Sequence, residues 1–134
     1  MRRIPVHGAV TAALLLVPGL LAAQAQWKQI GKTTSGNAVY VDPRSVHTDK
    51  DHVSATVRVV FTTPVETPQG AWYTARTKAT FDCAAHKLAV KENTYYGNAK
   101  ETKVVERKVN KIPGYGVVPT GSLGAVALDY LCRK

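Results

Sequence analysis

The stretch 53–61, VSATVRVVF, alternates apolar side chains with mostly polar ones over nine residues. Its apolar side is formed by Val53, Ala55, Val57, Val59 and Phe61. A period of two residues over this length is typical of an antiparallel strand that has one face in the core and the other toward solvent. The segment therefore predicts a sheet that is buried on one face only.

A second long segment, 71–83, repeats this alternation as AWYTARTKATFDC after a proline-containing loop at 62–70. Its predicted core face contains Phe81 and comprises Tyr73, Ala75, Thr77, Ala79, Phe81 and Cys83. Trp72 is predicted on the opposite face, together with Arg76 and Lys78. Cys83 is therefore expected at a strand end and directed into the core.

Shorter segments with strand propensity lie on both sides of these two. They are QWKQIG (26–31), AVYVD (38–42), LAVKENTYYG (88–97) and AKETKVVERKV (99–109), whereas 48–52 and 110–119 are predicted as a turn and a loop. The tail, 120–134, has no alternation and predicts a helix of about three turns that Ser122 or Thr120 could cap. Together these segments predict an α+β fold, an antiparallel sheet of about six strands with one C-terminal helix.

The first 25 residues are expected to be a secretory signal peptide. Arg2 and Arg3 precede the apolar run AVTAALLLV, and Ala23-Gln24-Ala25 has the small-x-small form of a signal peptidase site. The run is shorter than the roughly 20 apolar residues of a membrane-spanning helix. No cysteine lies near the expected cleavage site, so no lipid anchor is expected. Residues 26–134 are then enough for one small domain and too few for two.

The two cysteines allow three interpretations. Cys83 could be a nucleophile with His86 as its base, but an apolar environment raises a thiol's pKa and makes it inert. Cys83 and His86 could be half of a metal site, although structural zinc sites use four ligands. An even cysteine count in a short exported domain instead favours a Cys83–Cys132 disulfide. We expect this disulfide.

Other catalytic signatures are not found in the sequence. The acidic residues Asp49 and Asp51 lack the glycine and the distal glutamate of a calcium loop. No carboxylate pair suggests general acid–base chemistry, and GSLG at 121–124 is expected to begin a helix rather than bind phosphate. We therefore expect no metal, no cofactor and no enzymatic activity, with a small hydrolase as the least favoured alternative.

The positive charge is concentrated in one part of the chain. Loss of Arg2 and Arg3 with the signal would lower the net charge from +9 to +7, and 86–111 alone holds seven Lys or Arg residues against three Glu. Tyrosines are interspersed with them, and tyrosine offers contact area and a hydroxyl at low entropic cost. The candidate partner-binding residues on this basic, tyrosine-bearing face are Lys87, Lys91, Tyr95, Tyr96, Lys103 and Arg107. The alternative is that these lysines only protect a sheet edge from aggregation.

Several segments together resemble a known family. Trp27, VYVDPRSV (39–46), FDCAAHKL (81–88), YYG (95–97) and PTGSLGAVALDYLC (119–132) are similar to the surface-adhesin protein E-like family of exported bacterial proteins. The resemblance extends over essentially all of 26–134. It implies an antiparallel sheet whose C-terminal helix is held to the sheet by a disulfide, and adhesion to host macromolecules.

These observations predict an exported, periplasmic or secreted binding protein that has no transmembrane segment after signal cleavage. The first hypothesis is a surface-adhesin-like module that binds a host or envelope macromolecule through the basic face. The alternative is a soluble periplasmic, envelope-associated structural protein that binds anionic lipid head groups or acidic glycan. For an exported chain we favour such partners over nucleic acid. The oligomeric state is open, and the exposed edge of the predicted sheet is compatible with a homodimer.

Overall fold

The computed structural model describes residues 26–133 and the isolated positions 3, 5, 8 and 13. The expected signal peptide, 1–25, and its cleavage site therefore lie almost wholly outside the described residues. The strands are β1 (Lys28–Lys32), β2 (Ala38–Val41), β3 (His47–Asp49), β4 (His52–Val65), β5 (Trp72–Asp82), β6 (Lys87–Tyr96), β7 (Val104–Val109) and β8 (Tyr115–Val117). A short 3₁₀ helix, Pro43–Ser45, follows β2, and the helix α1 (Leu123–Leu131) ends the fold.

The eight strands of residues 26–133 form one sheet in which every pairing is antiparallel. Six of them follow the order β1-β2-β4-β5-β6-β7, while β3 pairs with β4 and β8 pairs with β6. The predicted α+β class, with an antiparallel sheet and a C-terminal helix, is confirmed. The structure has eight strands where the sequence predicts about six, because β3 and β8 have three exposed residues each and carry no alternating pattern.

The core lies between one face of the sheet and α1. Along β4, the side chains of Val53, Ala55, Val57 and Val59 are buried in alternation, as the sequence predicts. Phe81 of β5 is 1% exposed, and Ala127 and Leu128 of α1 pack into the same cluster. We call the sheet surface under α1 the helix face and the opposite surface the outer face. The two long strands, each with one apolar side, therefore direct their charged side chains to the outer face.

The helix is held at both ends. At its start, the Ser122 hydroxyl accepts a hydrogen bond from the Ala125 N–H, which confirms Ser122 as the N-cap. At its end, Cys132 forms a disulfide with Cys83, the residue that directly follows β5. The bond links α1 covalently to the sheet, as the sequence predicts. In the described part of the chain, no helix is long and apolar enough to cross a membrane.

The alternation of β5 fails at its first residues. Tyr73, which the sequence places on the core face, is 42% exposed, whereas the neighbouring Thr74 and Ala75 are both buried. The pairing of β4 with β5 shifts register between Val60 and Val65, so the two strands do not keep in step there. As a result Trp72, predicted on the opposite face, lines a cavity on the helix face. The prediction for Tyr73 and Trp72 is wrong because an irregularity changes the side-chain direction.

Candidate functional site: a basic face of the sheet

The outer face carries a row of three arginines that extends over the four neighbouring strands β4, β5, β6 and β7. Arg58 of β4 pairs with Arg76 of β5, which pairs with Thr94 of β6, which pairs with Arg107 of β7. Tyr40 of β2 extends the row by pairing with Arg58. Residues paired across antiparallel strands point to the same side, so these side chains share one surface. We call Arg58, Arg76 and Arg107 the arginine row.

A carboxylate from a loop holds the first two arginines together. Glu101 lies in the β6–β7 loop with φ +57°, and its two carboxylate oxygens accept hydrogen bonds from Arg58 Nε and Arg76 Nε. The Glu101 side chain is 5% exposed. Like charges directly opposite each other in a sheet are destabilising. Glu101 therefore makes the arginine pair compatible with a folded sheet.

Glu92 does the same at the other end of the row. Its carboxylate accepts a hydrogen bond from Arg107 Nε at 2.7 Å and forms an ion pair with Lys78 Nζ at 3.7 Å. The hydrogen bond from Arg107 is the largest influence on Glu92 and lowers the pKa of its carboxyl group, partly against the effect of desolvation. Glu92 is therefore held in its charged form, as a bridge between two cations.

Aromatic rings surround the arginine row. The Arg58 guanidinium lies over the rings of Trp27 and Tyr40, at 5.9 Å and 5.6 Å from their centroids. The Arg76 guanidinium lies over Trp27 at 5.1 Å and over Tyr96 at 5.5 Å. Such cation–π contacts fix the guanidinium planes and leave their edges as hydrogen-bond donors. The outer face is therefore an ordered set of planar donors and rings.

The six residues predicted to bind a partner do not share one face. Arg107 belongs to the arginine row, and Tyr96 lies beside it on the outer face. Lys87 pairs with Asp82 and therefore lies at the end of the same face. Tyr95 lies on the helix face, where its ring stacks on Trp72 with centroids 3.8 Å apart. Adjacent residues in a strand point to opposite sides, so Tyr95 and Tyr96 cannot contribute to one flat surface.

The remaining two predicted residues, Lys91 and Lys103, lie outside the row. Lys91 is an exposed residue at a bulge in β6, where the pairing with β5 skips it, and Lys103 is an exposed residue that precedes β7. Conversely, the six predicted residues do not include Arg58 and Arg76, which form the arginine row together with Arg107. Their outward position was readable from the alternation, but their alignment depends on strand register.

The residues with the strongest resemblance to a catalytic site take no part in this surface. Cys83 is in the disulfide, and His86 is an exposed turn residue with φ +54°. Within the described residues, no group of three His, Cys, Asp or Glu side chains is placed to hold a metal ion.

Comparisons with known proteins agree with this architecture. Two crystal structures of Haemophilus influenzae protein E, crystal form II and the selenomethionine form, match with TM-scores of 0.55 and 0.53. Each is 14% identical; both matches cover 81% of this chain, and 88% and 87% of the other chains respectively. Protein E from non-typeable Haemophilus influenzae matches at 0.52, again with 14% identity, over 81% of this chain and 76% of its own.

At this identity the likeness concerns the fold. A search of curated proteins finds no match. The family model described as surface-adhesin protein E matches residues 27–133, and the chain therefore belongs to the surface-adhesin protein E family.

Proposed function

We propose that this chain is an exported, non-enzymatic adhesin-like protein that binds an acidic partner protein through the arginine row and its neighbours. Family membership supports a surface-adhesin-like binding role. In this proposal, residues 1–25 are a signal peptide and residues 26–134 are a single binding domain. The partner is recognised by Asp and Glu side chains presented on its surface.

The arrangement of charges on the outer face carries the proposal. Two carboxylates, Glu92 and Glu101, each bridge two cations, so four cations face two anions and the cluster keeps a surplus of two positive charges. The cations at the open side are accessible, since the side chains of Lys78 and Arg107 are 61% and 60% exposed and that of Arg76 is 38% exposed. A surplus charge beside exposed donors favours an anionic partner.

The geometry favours carboxylates in particular. The arginine row already accommodates two carboxylates of its own, each bound through guanidinium Nε atoms. Arginine presents donors in a planar fork that matches a carboxylate, and the ring of Tyr96 adds contact area next to Arg76. The remaining guanidinium N–H groups of Arg76 and Arg107 can therefore bind Asp or Glu side chains of a partner in the same way.

Two double variants with the same change of charge test this proposal. Lys78→Ala with Arg107→Ala removes two cations from the outer face. Lys28→Ala with Lys108→Ala removes two from the helix face, where Lys28 lies over Tyr130 and Lys108 over Tyr95. The probe is polyglutamate, and binding is followed by calorimetry at several salt concentrations. We expect the first variant to lose at least about tenfold in affinity and the second to stay within about twofold of the wild type.

Equal losses in the two variants would mean that only net charge matters and would overturn the assignment to the outer face. Vesicles containing phosphatidylglycerol form the second arm of the experiment. Binding to these vesicles without binding to polyglutamate would replace the acidic protein with an anionic lipid as the partner.

A further inference from the structure

A cavity of about 400 Å³ opens on the helix face, on the side of the sheet opposite the arginine row. Its floor is formed by Val59 of β4 and by Ala75 and Thr77 of β5. The β1–β2 turn forms one wall, β6 forms the opposite wall, and the first residues of α1 close one end. Its volume falls within the range of about 300–1,000 Å³ that is usual for small-molecule sites. We call it the helix-face cavity.

None of the described residues that line this cavity has a charged side chain. This is unusual in a chain whose net charge is +9. Apart from the polar atoms of Trp72 and Tyr95, the polar groups are hydroxyls and amides, contributed by Thr33, Ser35, Asn37, Thr77, Asn93 and Ser122. Such a lining offers hydrogen bonds to a neutral polar ligand and no counter-charge to an anion or a cation.

Two asparagines in opposite walls are held in fixed orientations. The Asn93 Oδ1 atom accepts a hydrogen bond from the Thr77 hydroxyl at 2.7 Å. The Asn37 Oδ1 atom accepts from the Thr62 N–H at 3.0 Å and from its hydroxyl at 3.2 Å. Among residues 26–133, neither amide nitrogen has a hydrogen-bond partner. Each wall therefore provides an oriented NH₂ group whose donors are free for a ligand.

The wall on the β6 side is aromatic. Trp72 and Tyr95 stack with an interplanar angle of 19°, and both rings line the cavity next to Asn93. An aromatic surface beside amide donors and hydroxyls complements a molecule that has both apolar C–H surfaces and many hydroxyl groups. Sugar rings have both properties.

We propose that the helix-face cavity binds a neutral saccharide. The aromatic wall packs against the C–H face of a sugar ring, and the amide groups of Asn37 and Asn93 donate hydrogen bonds to its hydroxyl or ring oxygens. Among the described lining residues no cation is available to an acidic sugar; Lys108, which lies over the Tyr95 ring, is not one of them. This site is separate from the arginine row, and the proposal does not depend on the acidic partner proposed above.

The two tryptophans make the test specific to one face. Trp27 contacts the arginine row, whereas Trp72 lines the cavity, and the chain contains no other tryptophan. In a Trp27→Phe protein, fluorescence therefore reports on the cavity alone. This protein is titrated with glucose, galactose, mannose, N-acetylglucosamine, maltose, lactose and chitobiose. We expect at least one of these sugars to change Trp72 emission in a saturable way.

An isosteric variant then tests the hydrogen-bonding role of the cavity wall. Asn93→Asp keeps an oxygen to accept from Thr77 and replaces the free NH₂ donors with an acceptor, so we expect saccharide affinity to fall roughly tenfold or more. Arg107→Ala, on the other face, is the control and should leave saccharide binding unchanged. Circular dichroism verifies that both variants are folded, and Asn37→Asp serves in place of Asn93→Asp if the latter is not.

The proposal fails if no sugar of the panel alters Trp72 emission at millimolar concentration. It also fails if binding is unchanged in the folded Asn93→Asp or Asn37→Asp protein. Binding that responds to Arg107→Ala but not to these asparagine variants would place the sugar on the outer face and overturn the assignment.

Discussion

Replacing Glu101 with Gln should destabilise the protein through the two arginines that Glu101 bridges. Gln has nearly the same shape as Glu, so the change removes the charge and one acceptor oxygen without opening a cavity. Arg58 and Arg76 are directly paired across β4 and β5. The side chain of Glu101, which forms an ion pair with each of the two arginines, is almost fully buried. The variant thus leaves two cations facing each other without an anion between them.

The size of the effect follows from these positions. Two unit charges about 6 Å apart repel by about 3 kcal/mol at an effective dielectric constant of about 20. Solvent reduces this figure, because the Arg76 side chain is 38% exposed. The variant also weakens two charge-assisted hydrogen bonds, and removing one partner of a fully buried ion pair costs about 3–5 kcal/mol. For this partly exposed group, we expect a loss of about 2–3 kcal/mol in the free energy of unfolding.

Urea unfolding followed by circular dichroism measures this loss. Glu106→Gln is the matched control, since Glu106 and Lys108 form a partly exposed ion pair at 3.5 Å that should contribute less than about 0.5 kcal/mol. High salt should recover part of the loss in Glu101→Gln, because the Debye length falls to about 3 Å at 1 M. If Glu101→Gln lies within about 0.5 kcal/mol of the wild type, the bridging role is refuted.

Four further variants test other parts of the fold. Replacing Cys83 and Cys132 with Ser opens a loop with a sequence separation of 49 residues and should lower the free energy of unfolding by about 4 kcal/mol; a loss below about 1 kcal/mol would contradict the entropic estimate. Folding lowers the pKa of Glu92, so its charged carboxylate stabilises the fold above pH 4.5, the ordinary pKa of the group, and this stabilisation is lost as the pH falls through the folded-state pKa. The stability of Glu92→Gln should therefore depend less on acidic pH than that of the wild type. Equal slopes of stability against pH in the two proteins would argue against a lowered pKa. Gly121→Ala should lower the free energy of unfolding by about 2 kcal/mol, since φ is +75° and a Cβ would collide with the Thr34 hydroxyl. Gly36→Ala is the control: φ is +83° but no described atom lies within 4 Å of the added Cβ, so the loss should be only about 1 kcal/mol. Similar losses of the two variants in thermal unfolding would exclude the collision.

The regular parts of the fold were predictable because alternation alone determines them. Val53 to Val59 and Ala75 to Phe81 keep a strict period of two, and their burial follows it. The short strands β3 and β8 were not predictable, since three exposed residues carry no periodic signal. The reversed positions of Trp72 and Tyr73 depend on a register shift that is a property of the paired strands rather than of one segment.

The candidate site was predictable only in part. The sequence predicts a basic region with tyrosines, and Tyr96 and Arg107 do lie on the outer face. Proximity along the chain does not place residues on one surface, since Tyr95 and Tyr96 are adjacent and yet point to opposite sides. Arg58, Arg76 and Arg107 are distant in sequence and are aligned only through the register of three strand pairings. No property of one segment could indicate that alignment.

The bond between Cys83 and Cys132 also affects how the protein responds to cleavage. The covalent loop that it closes contains β6, β7, β8 and α1. Ile112, between β7 and β8, is 93% exposed, so the segment around it is open to proteases. A single cut there leaves two peptides still joined by the disulfide and by the pairings of β6. The nicked protein should therefore run as one species on a non-reducing gel and separate into two fragments only after reduction.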